Sequence, residues 1–272
     1  MTLPSGTVEY MIGTAPTRLS GGQVTGCGIS WTAEELDTAL AGPVAGVVFD
    51  DAGNADCAAI LEGLSETEFD REGVQRVLNS EQEPEAWRVG EGLAESYLTH
   101  HRNCSFPWPD GRDERKSGSS LPGADLVGFH QDGEQDCFAF GEVKTSGEAK
   151  HPPGAMYGRT GLKQQLEDLR DKVSIRDDLV KYLWHRAVNA SWKGRFINAY
   201  KRYNADSADA CLFGLLVRDV EPHRDDLQVR ITKLGKDCPS AMSIELIAIY
   251  LPAGSIDSLS KKVVQSRKGG DT

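Results

Sequence analysis

Residues 121–146 read LPGADLVGFHQDGEQDCFAFGEVKTS. Two apolar runs flank a polar tip, which is the pattern of a β-hairpin. Gly133 followed by Glu134 suits the centre of a two-residue type II′ turn. Positions equidistant from that turn then pair. Asp125 falls opposite Glu142, on the same face, with Cβ atoms roughly 5 Å apart. Lys144, two residues further on, shares that face, while Val143 points the other way into the core.

Two opposed carboxylates repel one another. A lysine bridge offsets part of that, and a divalent cation offsets more. Mg²⁺ takes oxygen ligands, few of them protein carboxylates, and keeps several waters. A lysine beside such a cation orients an attacking water and stabilises charge on a phosphate. The constellation asks for metal-assisted hydrolysis of a phosphodiester. The plainer reading of Glu-x-Lys is a solvated ion pair. It is weakened by the opposed Asp125 and by the run FAFGEV, where unpaired charge is costly.

The chain around this hairpin has 272 residues, enough for one or two domains with a real core. Its charged and apolar fractions are those of a globular protein. No apolar run reaches the roughly 18 residues of a membrane span. The start, MTLPSGTVEY, lacks a basic segment followed by an apolar one, so no secretory signal and a cytoplasmic location are expected. Six cysteines at 27, 57, 104, 137, 211 and 238 form no CxxC pair and no zinc-type spacing, which predicts free thiols.

Upstream, residues 86–99 (AWRVGEGLAESYLT) follow a helical period, with Val89, Leu93, Ala94, Tyr97 and Leu98 on the apolar face. Glu91 borders that face and can reach inward, whereas Glu95 lies further toward solvent. Residues 1–80 are expected to form an N-terminal α/β portion, with AGVVFDD (45–51) as a buried strand. Thr32 with Glu35, and Ser65 with Glu68, are expected capping boxes. The polar EQEPE (81–85) marks a boundary. Residues 81–260 would be the main domain and 261–272 a tail, frayed beyond a short helix. Downstream, 161–203 is helical with interruptions, and 210–219 and 243–252 read as strands covered on both sides.

The order of these motifs carries a resemblance. RVGEGLAESYL, then GADLVGF, then FAFGEVKTS, then a helix with KQQLEDL resembles the PD-(D/E)XK nuclease superfamily over about residues 86–180. The resemblance implies an α/β fold: a restriction-endonuclease-like mixed sheet flanked by helices, cutting DNA with Mg²⁺ or Mn²⁺. It implies that Asp125, Glu142, the Val143 carbonyl and Glu91 bind the metal. Lys144 would position the nucleophilic water, and Gln165 would be the helix amide found in many members. Ala124 stands where the superfamily has proline. A literal Pro109-Asp110 lies in a Pro/Gly-rich loop with no partner strand and is not the motif.

Charge is distributed unevenly. The chain is acidic overall, at −11, yet residues 179–205 contain no acidic residue. They carry Lys181, Arg186, Lys193, Arg195, Lys201 and Arg202, interleaved with Tyr182, Trp184, Trp192, Phe196, Tyr200 and Tyr203. Cations neutralise phosphates and aromatics stack on bases, so this block is a candidate DNA contact. The alternative is an aromatic core beneath a solvated face. Arg112 and Lys116 in the 102–123 loop are a second candidate contact.

A metal-dependent deoxyribonuclease is the leading expectation. A catalytically silent nucleic-acid-binding scaffold and an RNA nuclease are the rivals. The acidic N-terminal portion before such a core is similar in architecture to nuclease subunits of bacterial anti-phage systems such as Hachiman. Those pair with a helicase, which implies a helicase or other protein partner here.

Overall fold

The computed structural model describes residues 2–13, 22–62, 73, 83–109, 112–113 and 123–269. Its centre is a mixed sheet of seven strands. They are β1 (Thr7–Ile12), β2 (Gln23–Ser30), β3 (Cys104–Ser105), β4 (Leu126–Asp132), β5 (Gln135–Ser146), β6 (Ala210–Arg218) and β7 (Ser243–Tyr250), in the spatial order β1-β2-β7-β6-β5-β4-β3. The inner four, β2, β7, β6 and β5, run parallel; β1, β4 and β3 are antiparallel to their neighbours.

The hairpin register is the expected one. Leu126 pairs with Gly141 and Asp132 with Gln135. Gly133 has φ +62° while Glu134 does not enter the left-handed region, as a type II′ turn requires. Along β5, β6 and β7 side chains alternate between two cores. Phe138, Phe140, Leu212, Leu216, Ile244 and Leu246 face one side, and Ala139, Val143, Leu215, Val217, Ile247 and Ile249 the other. Both faces are covered, so these strands read as continuous apolar runs.

The first face is covered by α5 (Leu162–Asp171), α6 (Val173–Ala187), α7 (Lys193–Ala205) and α8 (Gln228–Leu234). The second carries α1 (Ala33–Ala41), α2 (Pro43–Val48), α4 (Ala86–His101) and α9 (Leu259–Gly269). A further helix, α3 (Asp51–Glu62), follows α2. Among the described residues no helix is long and apolar enough to cross a membrane.

Three expectations need correction. AGVVFDD is not a strand. Pro43 opens α2 at its first turn, and Val44 and Ala45 bury against α4. The N-terminal strands β1 and β2 do not stand apart from the main domain. β2 hydrogen-bonds β7 along its length, from Gln23↔Ser243 to Ser30↔Tyr250, so it completes the central sheet. The boundary between residues 260 and 261 does not hold either, because 261–269 continue α9, whose Val263 is fully buried with Leu36 and Leu40 of α1. The Thr32–Glu35 capping box forms as expected: Glu35 N donates to Thr32 Oγ1 and Thr32 N to Glu35 Oε2. Ser65 and Glu68 lie outside the described residues.

Candidate active site

The acidic pair sits where β4 begins and β5 runs past it. β4 pairing starts at Leu126, so the Val143 amide has no backbone partner on that side. Asp125 replaces one: its Oδ2 accepts the Val143 N–H at 2.8 Å. The same oxygen lies 3.6 Å from Lys144 Nζ, and Lys144 Nζ is 3.5 Å from Glu142 Oε2. One ammonium therefore stands between two carboxylates.

Glu142 is only 2 % exposed. Its Oε2 has no hydrogen-bond donor, although the Lys144 charge is close. Burial pushes the Glu142 carboxyl up to about 9, and the Asp125 charge adds to the rise; Lys144 offsets only part of it. A buried, under-satisfied carboxylate oxygen beside a second carboxylate is an incomplete electrostatic arrangement that favours an added cation. The donors are hard oxygens, which suits Mg²⁺ or Mn²⁺.

Helix α4 approaches this site closely because of Gly90. A Cβ there would clash with Thr145 Oγ1 on β5, so glycine lets the helix cross this close to the threonine. The crossing brings Glu91 to a cleft shared with Arg88, Glu95, Trp108 and Asp125. Glu91 bonds Arg88 Nη1 at 2.9 Å. Glu95, read from the sequence as pointing further toward solvent, lines the same cleft. Among the described residues one trio of metal-ligating side chains has all its ligand atoms within 4.8 Å. It is His130, Cys137 and Cys211, not Glu91, Asp125 and Glu142.

Helix α5 covers the other flank. Leu166 Cδ1 would meet a Cβ on Gly214, the β6 residue paired with Glu142. Gln165 precedes Leu166 on that turn, and its buried Oε1 has no hydrogen-bond partner. Its neighbours are engaged along the helix, Lys163 with Glu167 and Gln164 with Asp168.

The cationic residues are dispersed. Arg195 pairs with Asp136 and Arg202 with Asp209 and Asp132, around the hairpin tip. Asp136 is six residues before Glu142, about 20 Å along the strand. Arg186 pairs with Asp113 and stacks on Tyr182, and Arg112 pairs with Asp50. Lys193 donates to the Val188 carbonyl, while Lys181 and Lys201 are exposed. Lys116 lies outside the described residues. Phe196 and Tyr203 are core residues, whereas Trp184 is 54 % exposed.

Asp113 accepts from Trp108 Nε1, Tyr182 Oη and Arg186. Burial alone would raise its carboxyl, but these three donors outweigh that and hold it below the usual carboxylate range.

The sequence reading did not anticipate the His130–Cys137–Cys211 trio. The hairpin rule that opposes Asp125 and Glu142 also opposes His130 and Cys137, and that signal was available. Cys211 comes from another strand, which spacing along the chain does not reveal. No protein-family model matches this chain and no curated protein matches it, so the site is read from its own geometry.

Proposed function

We propose that this protein is a metal-dependent nuclease of the restriction-endonuclease-like, PD-(D/E)XK type that hydrolyses phosphodiester bonds of DNA. The observation that carries the reading is the buried Glu142 carboxylate. It has an oxygen without a donor, Asp125 opposite it, and Lys144 within 3.6 Å of both.

Asp125, Glu142 and the Val143 carbonyl would hold Mg²⁺, which when bound supplies Lewis-acid neutralisation of charge on a phosphate. The chain's own groups do the rest. Lys144 is held by both carboxylates with its ammonium aimed into the site, placed to orient a water and to stabilise negative charge on a phosphoryl oxygen. Asp125 is tied to the strand that carries Glu142 by accepting the Val143 amide, which holds its carboxylate at the site. Gln165 offers a buried amide oxygen from α5, suited to holding the water from the other flank. Glu91 and Glu95 line the cleft and would repel a phosphate placed deep inside it, which directs the backbone to the rim.

The test is cleavage of single-stranded DNA, duplex DNA and RNA with and without Mg²⁺, by the wild type and by Lys144→Ala. DNA cleavage that needs the metal and falls by about 100-fold or more in Lys144→Ala supports the reading. A Lys144→Ala protein that cuts as fast as the wild type, or RNA as the only substrate, overturns it.

A further inference from the structure

We propose that His130, Cys137 and Cys211 form a site for a thiophilic divalent cation, Zn²⁺, which ties β4, β5 and β6 together on the sheet face opposite Glu142. The three side chains come from adjacent strands. His130 and Cys137 are direct partners across the hairpin. Cys211 is on β6, whose partner on β5 is Ala139, two residues beyond Cys137. The Cys137 and Cys211 sulfurs are 2.9 Å apart, and Cys137 Sγ is 3.8 Å from His130 Nδ1. All three ligand atoms lie within 4.8 Å of one another.

Two sulfurs and an imidazole are soft and borderline ligands, which select Zn²⁺ over Mg²⁺ or Ca²⁺. Two sulfurs on a tetrahedral zinc with bonds of about 2.3 Å stand about 3.8 Å apart, so a small side-chain rotation opens the pair to admit the ion. Cys137 is packed inside, but His130 and Cys211 are half-buried, which leaves the ion a way in. The competing reading is a Cys137–Cys211 disulfide. With parallel strands about 4.8 Å apart and a two-residue rise of about 6.6 Å, the diagonal separates these Cα atoms by about 8 Å. That exceeds the roughly 4.4–6.8 Å of disulfides, whereas a bridging metal spans it.

Cys104 is the next residue in this row, opposite His130 on β3, but its thiol donates to the Arg102 carbonyl. Three protein ligands therefore leave the fourth position open to water or an exogenous donor.

The test uses the full reduced chain stripped of metal. One equivalent of Co²⁺ should produce thiolate-to-cobalt charge-transfer absorption and the intense visible bands of a tetrahedral site. Zn²⁺ should abolish them stoichiometrically, and excess Mg²⁺ should not. Cys211→Ser should lose the charge-transfer band and weaken Zn²⁺ binding by more than the roughly 10–100-fold that loss of an outer-shell partner costs. Cys57→Ser, at an exposed position on α3, should change neither. His130→Ala provides a second ligand deletion should replacement of the packed Cys137 prevent folding. Absence of the cobalt spectrum in the wild type, or its retention in Cys211→Ser, would overturn the proposal. A Cys137–Cys211 disulfide found by mass spectrometry and unaffected by Zn²⁺ would overturn it as well.

Discussion

The Val143 amide donates to Asp125 Oδ2 at 2.8 Å, at the point where β4 pairing stops and β5 continues. Asp125 is thus a structural acceptor and one of two candidate metal-binding carboxylates at once. Two substitutions separate those roles. Asp125→Asn keeps an oxygen acceptor for Val143 and removes the charge. Its stability should change by less than about 1 kcal/mol, with Mg²⁺-dependent cleavage down about 100-fold or more. Asp125→Ala orphans the Val143 amide as well and should cost about 1–3 kcal/mol. Chemical denaturation beside a cleavage assay checks both, and equal destabilisation by Asn and Ala would remove the structural role.

Glu142 makes stability and metal binding depend on pH in opposite ways. Its folded value is about 9 against an ordinary 4.5, raised chiefly by burial and then by Asp125. Between those values the folded chain holds a proton that the unfolded chain has released. Stability of the metal-free protein therefore falls as pH rises from about 4.5 to about 9. Mg²⁺ must displace that proton, so its affinity should rise over the same window, and at pH 8 binding should release close to one proton. Calorimetry in two buffers of different ionisation enthalpy measures the release. Glu142→Gln should raise metal-free stability at pH 8 by about 1–3 kcal/mol, abolish the proton release and abolish cleavage. Destabilisation by Glu142→Gln at that pH would contradict the burial argument.

The hairpin was legible because its register needs only two apolar runs and the turn between them. Gly133 supplies the turn, and residues 126–129 and 137–140 the runs. Helix α4 was legible from Val89, Leu93, Ala94, Tyr97 and Leu98, all of which are buried. What failed was local and ambiguous. AGVVFDD is a short apolar run, which periodicity alone cannot divide between strand and buried helix. β2 contains Gly26 and Gly28, which weaken strand propensity; its place is decided by β7, more than 200 residues away. The catalytic candidates on one hairpin were readable as a group. The depth of Glu142 and the Cys211 contact depend on tertiary packing, which no helical wheel contains; the Arg88–Glu91 bond is an i,i+3 pair that a wheel does contain.

The arginines and lysines of the basic block should behave differently. Arg202 is clamped by Asp209 at 2.8 and 2.9 Å, and Arg195 by Asp136. A clamped guanidinium has its charge largely neutralised before any phosphate arrives. Arg202→Ala should cost about 1 kcal/mol of stability and leave the salt dependence of DNA binding unchanged. Lys181→Ala and Lys201→Ala should leave stability unchanged and each lower the salt slope by about 1. Fluorescence anisotropy over a salt series reads both slopes. A fall in the Arg202→Ala slope equal to that of the lysines would show that Arg202 leaves Asp209 to bind phosphate.

Gly90 sets how closely Glu91 can approach the strand that carries Glu142. Alanine is the better helix former by about 1 kcal/mol, so an unconstrained site would gain from Gly90→Ala. Here the added Cβ would lie 2.0 Å from Thr145 Oγ1 and 3.3 Å from Thr145 Cβ, against a strand that cannot recede because β6 pairs with it. Helix α4 must lift instead. Gly90→Ala should destabilise the fold by about 1–3 kcal/mol and lower cleavage as the cleft between Glu91 and Asp125 widens. Thr145→Ala removes the clashing oxygen, and the double variant should recover most of both losses. Thr145→Val, which keeps the bulk, should recover neither. A thermodynamic cycle over these variants measures the coupling, and additive losses would mean that the helix does not cross at this pair.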